Sequence, residues 1–307
     1  MKLSGIFKPE YFYQPRLALR RLLPFQRPST AEFVDENLPW GLPIRVRPLE
    51  EHGCVLSTLG IIDLSVTETL LRLVDPGENA VDVGANIGYM TAVLAARIGA
   101  IPGGSIRAFE AHPEIFQELK YNIERWQSQL RDTKFDIQHF AISDKRGKVT
   151  LGIPESFATN RGLASVVTQN HASNQADSVP IKTVVVESVS LDELFPAPAQ
   201  IGVLKLDVEG YELSVLKGAS NLLQDHRIRD CVFEEHGEYP TDVTSFFEEM
   251  GYSLFRIKRQ FFGPKLLAPN SQVARTQWQP TSFLATQQPE RATNRFKEWG
   301  WKAFQVK

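Results

Sequence analysis

The sequence predicts an α/β fold: a doubly wound, mostly parallel sheet with helices on both faces. Three observations predict it. From Asn79 onward, short apolar runs of strand length alternate with stretches of helical periodicity. Turn chemistry such as Asp75-Pro76-Gly77 and Pro102-Gly103-Gly104 separates them. No internal repeat or second apolar core interrupts the series, so a single α/β domain with decorations is expected.

Taken in order, residues 1–50 read as an N-terminal extension broken by Pro9, Pro15, Pro24, Pro28, Pro39 and Pro43. Val66, Leu70, Leu71 and Val74 recur at helical spacing and predict a helix over 65–74. Ala80–Val83 reads as a buried strand, Tyr89–Ile98 as a helix ended by Gly99, and Ser105–Phe109 as a second strand. A long helix runs from Pro113 to about Leu130, with Pro113 in the first turn, where a missing N–H costs nothing. Phe135–Phe140 alternates like a strand. Gly147–Ile153 and Ile181–Val189 read as strands flanking residues 154–180, a stretch rich in Ser, Asn and Gln and a candidate lid. Ile201–Leu206, Asp230–Phe233, Tyr252–Ile257 and Thr281–Ala285 complete the strands, with helices at about 212–223 and 242–250. The main domain is set at 51–289 with its core at 79–286. Residues 290–307 form a tail whose Trp299 and Trp301 are read as packing, with a partner or substrate surface as the alternative.

Composition excludes several classes. Hydrophobic residues are 42% and charged residues 23% of the 307, ordinary for a soluble globular chain. The net charge of −2 lacks the basic field of a general nucleic-acid binder, so no nucleic-acid partner is expected. Cys54 and Cys231 lie far apart without a CxxC pair, which argues against a disulfide framework or zinc knuckle and fits a reducing, cytoplasmic compartment. No apolar run is long enough to span a bilayer. The segment MKLSGIFKPEYFYQPRLALRRLLPF lacks the unbroken apolar centre of a secretory signal. It reads as a helix packed on the domain, with peripheral contact at the inner membrane surface as the alternative. Oligomeric state is not legible.

The segment Val81-Asp82-Val83-Gly84-Ala85-Asn86-Ile87-Gly88 carries the most information. Gly84 lets the chain turn, Asn86 tolerates left-handed backbone angles, and Gly88 lets the helix approach the strand. The spacing GxxxG differs from the GxGxxG that cradles a pyrophosphate. Asp82 would repel a pyrophosphate but accept, directly or through water, from an ammonium group. S-Adenosyl-L-methionine carries that ammonium and NAD does not. Glu110, at the tip of the second strand, is placed to accept from ribose hydroxyls. Ala141 and Ile142, with Ser143 and Asp144, are placed to line an adenine pocket, chiefly through backbone. His112 reads as an exposed helix-start residue, with a place near the adenosine as the alternative.

Lys205, Asp207 and Glu209 share a direction by strand alternation at the end of a hydrophobic strand. The next strand ends in Phe233-Glu234-Glu235-His236. Asp207, Glu209, Glu234 and His236 therefore form the candidate catalytic cluster. His236 is the natural general base for removing an acceptor proton, and Asp207 or Glu209 would orient the acceptor or the imidazole. Two bland alternatives stand beside this: Glu209 capping the following helix, and Lys205–Asp207 as a structural ion pair. A metal held by the same groups ranks third, since no compact ligand signature is present, and none is expected.

With VDVGANIGYMT, FEAHPEIFQELKYNI, VSLDEL, VLKLDVEGYELSVLKGA and FEEH in place, the sequence resembles the FkbM family of methyltransferases over roughly 79–238. The resemblance implies a class I (Rossmann-like) methyltransferase fold with a seven-stranded sheet. It implies S-adenosyl-L-methionine as donor and O-methylation of a small-molecule or glycan hydroxyl. It carries the cofactor role onto Asp82, Gly84, Asn86, Gly88 and Glu110, joined by Ala85 and Asp207. It places Asp207, Glu209, Gly210 and His236 in the active-site neighbourhood, makes Asn122 structural and puts Ser165 beside the pocket. A nucleotide-dependent oxidoreductase and a non-catalytic nucleotide-binding module on the same fold are the alternatives.

Overall fold

The computed structural model describes residues 9–13, 31–167, 182–272 and 281–305. β1 (Val34–Asn37) and β2 (Pro43–Val46) form an antiparallel hairpin. The helix Leu64–Leu73 leads to β3 (Asn79–Val83), Tyr89–Ile98 to β4 (Ser105–Phe109), and Pro113–Gln127 to β5 (Lys134–Gln138). β6 (Ala141–Ile142), β7 (Gly147–Ile153), β8 (Ser165–Val166) and β9 (Lys182–Val189) then build a separate sheet ordered β6-β9-β7-β8. β10 (Ile201–Leu206), β11 (Ile228–Glu235), β12 (Ser253–Gln260), β13 (Gly263–Leu267) and β14 (Thr281–Thr286) complete the main sheet. Its order is β13-β12-β14-β11-β10-β3-β4-β5.

The five strands from β11 to β5 run parallel, while β14, β12 and β13 pair antiparallel. All seven strands expected in this sheet are present, and β13 adds an eighth at the edge. Its sequence, Gly263-Pro264-Lys265-Leu266-Leu267, opens like a turn. Proline is tolerated there because an edge strand leaves some N–H positions unpaired. The chain leaves β3 toward β4 on one side and returns to β10 on the other. That reversal opens a crevice at the carboxyl ends of β3 and β10, where open α/β sheets bind ligands.

Strand alternation sorts the sheet's side chains onto two faces. Ala80, Val203, Val232 and Leu284 join the core formed with Leu64–Leu73 and Tyr89–Ile98. Val81, Leu204, Leu206, Cys231 and Phe233 pack against the helices that follow β10 and β11. Leu38, Trp40, Leu42, Ile44 and Val46 of the hairpin belong to the first core. The Trp126 indole N–H donates to the Pro43 carbonyl at 2.5 Å. Packing therefore runs across the boundary drawn at residue 50. Strands of four residues are too short for alternation to show in sequence, and Pro39 and Pro43 masked them.

The C-terminal segment is stapled to the same core. Arg72 and Glu68 form an ion pair of 2.6 Å with both side chains fully buried. The Arg72 guanidinium also donates to the carbonyls of Arg295, Glu298 and Gly300, and Glu68 accepts from the Ala303 N–H. Trp301 is fully buried as expected, whereas Trp299 is 73% exposed and stacks on Phe262. The N-terminal membrane reading rests on segments outside the described residues, as does the 168–180 part of the lid. No single helix among the described residues is long and apolar enough to cross a membrane. Arg72→Met would strand the Glu68 carboxylate and release three tail carbonyls. The expected loss is about 3–5 kcal/mol, the usual range for breaking a buried pair from one side, read by urea denaturation.

Candidate active site

After β3 the chain turns through Gly84 to Gly88 into the helix Tyr89–Ile98. Gly84 has φ +76°, and a Cβ there would lie 1.8 Å from the Asp207 carbonyl oxygen. The loop after β10 crosses directly over it, so only glycine fits. The Gly84 and Ala85 N–H groups donate to the Phe109 carbonyl at 3.0 and 2.9 Å. Asn86 has φ +50° and donates its N–H to Glu110 Oε2 at 2.9 Å. Asn122, fully buried, donates to the Ile87 carbonyl and accepts from the Arg45 N–H. Its structural role is to tie the loop to the hairpin.

A cavity of about 770 Å³ opens over the carboxyl ends of the central strands. Among the expected cofactor residues, Gly84, Ala85, Asn86, Glu110, Ala141, Ile142 and Asp207 line it, and so does Ser165. Gly88 does not. A Cβ on Gly88 would meet Leu119 at 2.8 Å and Trp126 at 3.1 Å, so this glycine admits the helix Pro113–Gln127, not the strand. Asp82 lies beneath the lining, wholly buried. Its Oδ2 accepts from the Thr91 hydroxyl at 2.6 Å, and its Oδ1 has no partner among the described residues. That depth corrects the direct contact with a ligand ammonium and leaves the route through a water. His112 is buried against Phe157, not exposed as expected, because the segment 155–163 folds over it.

Glu110 is 8% exposed and accepts from the N–H groups of His112 at 2.7 Å and Asn86 at 2.9 Å. Burial nevertheless pushes its carboxyl up to about 6. Each carboxylate oxygen keeps a lone pair beyond those bonds.

The Lys205 ammonium is buried and donates to Asp207 Oδ2 at 2.8 Å. Burial pushes the Asp207 carboxyl up, but the Lys205 charge and bond outweigh it and hold the group below the usual carboxylate range. The ion-pair reading of Lys205–Asp207 is therefore right geometrically. Glu209, at φ +49°, lines the cavity and lies 3.7 Å from His236 Nε2. Capping of the loop falls to Glu212 instead, whose Oε1 accepts from the N–H groups of Val208 and Gly210. Glu234 lines the cavity and hydrogen-bonds Asp63, the cap of the helix Leu64–Leu73. Burial, then the neighbouring Asp207 and Asp63 charges, push Glu234 far above its ordinary value. Glu234 thus keeps its proton at neutral pH and donates to Asp63, which rules it out as a base. His236 is not part of the lining: its side chain is 61% exposed at the rim. Glu209, then, raises the imidazole above its ordinary value against a smaller opposing effect of desolvation.

Several lining residues escaped the sequence reading: His52, Asp63, Asn160, Arg161, and the trio Arg256, Lys258 and Arg259. Asp63 was legible as a helix cap ahead of Leu64-Ser65-Val66. The basic trio was visible as charges interrupting an apolar strand. Arg161 is buried by ion pairs with Glu118 and Glu114, which dock the segment 155–163 on the helix Pro113–Gln127. His, Cys, Asp and Glu side chains form no group suited to a metal among the described residues.

The close crossing at Gly84 is testable. Gly84→Ala should cost at least about 2 kcal/mol, from overpacking plus left-handed strain, and lower the thermal midpoint accordingly. Gly103→Ala, at φ +104° with open space around it, should show only the strain and a smaller shift.

The family described as the methyltransferase FkbM domain matches residues 82–254. Hexuronic acid methyltransferase AglP of Haloferax volcanii is 29% identical over 185 residues, covering 60% of this chain and 67% of that protein. Protein-L-isoaspartate O-methyltransferase of Aeropyrum pernix is 36% identical over 88 residues, only 28% of this chain and 31% of its own. The crystal structure of an FkbM methyltransferase from Methylobacillus flagellatus aligns with TM-score 0.42 and 14% identity, over 73% of this chain and 55% of that one. With the matched region running from the strand-end acid Asp82 into β12, the chain belongs to the FkbM family of S-adenosylmethionine-dependent methyltransferases.

Proposed function

We propose that the chain methylates an oxygen of a small-molecule or glycan acceptor, with His236 as general base oriented by Glu209. The observation that carries the reading is the placement of Glu209 in the cavity wall with His236 beside it, while every neighbouring acid is otherwise engaged. The likeness to a hexuronic acid methyltransferase supports a sugar acceptor.

The residues present fit S-adenosylmethionine. Glu110 offers a buried carboxylate with spare lone pairs toward the cavity, suited to a ribose diol. Ala141, Ile142 and Phe140 supply an apolar wall for a base. Asp82 Oδ1, orphaned beneath the loop, is suited to a water that relays to an ammonium group. The cofactor supplies an electrophilic methyl group on a positively charged sulfur. The protein then has to hold an oxygen nucleophile in line and remove its proton. Asp207 is a poor base because Lys205 stabilises its anion, and Glu234 is already protonated. That leaves the imidazole at the rim, beside Glu209. Glu209 stabilises the imidazolium that results.

Two outcomes test the assignment. Adenosylhomocysteine affinity should fall as pH drops below about 6, where Glu110 gains a proton and loses acceptor capacity; calorimetry from pH 5 to 8 reads it. For the base, kcat should rise with pH through a limb lying above the ordinary imidazole value, because the neutral form is required and Glu209 raises the group. Glu209→Gln should move that limb to lower pH. His236→Ala should cut kcat by about a hundredfold or more while sparing adenosylhomocysteine affinity. An unchanged kcat would overturn the base and indicate an acceptor oxygen already ionised, such as a carboxylate.

A further inference from the structure

The cavity reaches well beyond the loop that turns from β3. Counting from β3 through β10, β11 and β14 to β12 gives four strand spacings, about 19 Å at ~4.8 Å each. At that far end the lining consists of Arg256, Ile257, Lys258 and Arg259 from β12 with Thr281 and Ser282 from β14. Arg256, Lys258 and Arg259 of β12 therefore lie at the end of the cavity away from Glu110.

The charges along the rest of the wall are accounted for. Lys205 pairs with Asp207, and Arg161 with Glu118. Glu51 accepts from Asn160, Asp63 accepts from two N–H groups and from Glu234, and Glu209 faces His236. Arg256 donates to the Ser271 carbonyl at 2.6 Å. Lys258 is half-buried and has neither an ion pair nor a hydrogen bond among the described residues. Its ammonium stands on the cavity wall without a counter-charge among those residues, where an anionic ligand would complement it.

We propose that Lys258, flanked by Arg256 and Arg259 and by the Ser282 hydroxyl, is a subsite for an oxyanion carried by the acceptor, a sugar carboxylate or phosphate. It lies at the opposite end of the cavity from the cofactor residues. This deepens the proposed function and rests on it: the anion anchors the acceptor, and a different oxygen is presented for methylation. Lysine suits either anion, since its three donors form a point charge with no fixed planar geometry.

The test titrates the adenosylhomocysteine-loaded protein with glucuronate, glucose 6-phosphate and glucose, by calorimetry or NMR, in the natural chain and in Lys258→Gln. At least one anionic sugar should bind saturably, weaken with added salt, and lose about tenfold or more in affinity in the variant. Glucose should bind neither protein comparably. Preference for glucuronate identifies a carboxylate acceptor, and preference for glucose 6-phosphate a phosphorylated one. Adenosylhomocysteine affinity should be the same in both proteins. Anion affinity indifferent to Lys258→Gln, glucose binding as tightly as the anions, or no anion binding to the loaded protein would each overturn the subsite alone. Failure of adenosylhomocysteine itself to bind would instead overturn the methyltransferase site, and the subsite with it.

Discussion

Asp82, Asp207 and Glu234 stand at or near the tips of three central strands, and all three feel one buried ammonium, that of Lys205. Three carboxylates cannot all ionise in so little water around a single cation. Geometry decides the outcome. Asp207 holds the direct bond and stays ionised, whereas burial pushes Asp82 and Glu234 up. Glu234 then becomes a hydrogen-bond donor to Asp63 at the start of the helix Leu64–Leu73. One lysine thus holds Asp207 ionised while burial raises the two acids beside it, and Glu234 links the sheet to the helix that Asp63 caps. The same contrast of environments that separates acid from base in other active sites separates structural from reactive groups here.

That arrangement needs its surroundings held still. The loop carrying Gly84 touches the Asp207 backbone so closely that β3 and β10 cannot shift independently. The helix Pro113–Gln127 presses on Gly88 and holds both the hairpin and Arg161. On the other flank, Arg72 and Glu68 bind the C-terminal segment to the helix that Asp63 caps. Segments far apart in sequence therefore converge on the two helices that wall the site, through buried polar bonds in preference to extra apolar area. Rigid supports of this kind fix catalytic groups more firmly than loops alone.

Much of this was legible in the chain. Apolar runs of strand length revealed the seven main strands, and the strand-end acids Asp82, Glu110 and Asp207 stood out against hydrophobic neighbours. What stayed hidden depends on contacts between distant segments. Sequence periodicity gives a side chain's face but not its depth, so Asp82 was placed at the surface of a pocket it actually underlies. Gly88 was matched to the right turn but to the wrong neighbour, because its crowding comes from Leu119 and Trp126, more than thirty positions away. Capping, one of the two readings of Glu209, falls to Glu212, whose carboxylate accepts from the Val208 and Gly210 N–H groups. His236 was placed inside the cluster, although strand β11 ends before it and leaves it at the rim.

The charge layout along the cavity gives a physical reason for the order of its parts. Carboxylates gather over the sheet's centre, where a ligand cation is best tolerated, and cations gather over β12, where an anion is. A donor bearing a sulfonium and an acceptor bearing an oxyanion would each be drawn to its own end, and neither would be stabilised at the other's. Methyl transfer converts the sulfonium to a neutral sulfide, which removes the donor's share of that attraction while the acceptor's anion is untouched. If the methylated oxygen were itself the anion, both attractions would disappear in one step. The imidazole beside Glu209 would then have no proton to take. The separation of Lys258 from His236 along the sheet therefore favours an acceptor that is held by one group and methylated at another.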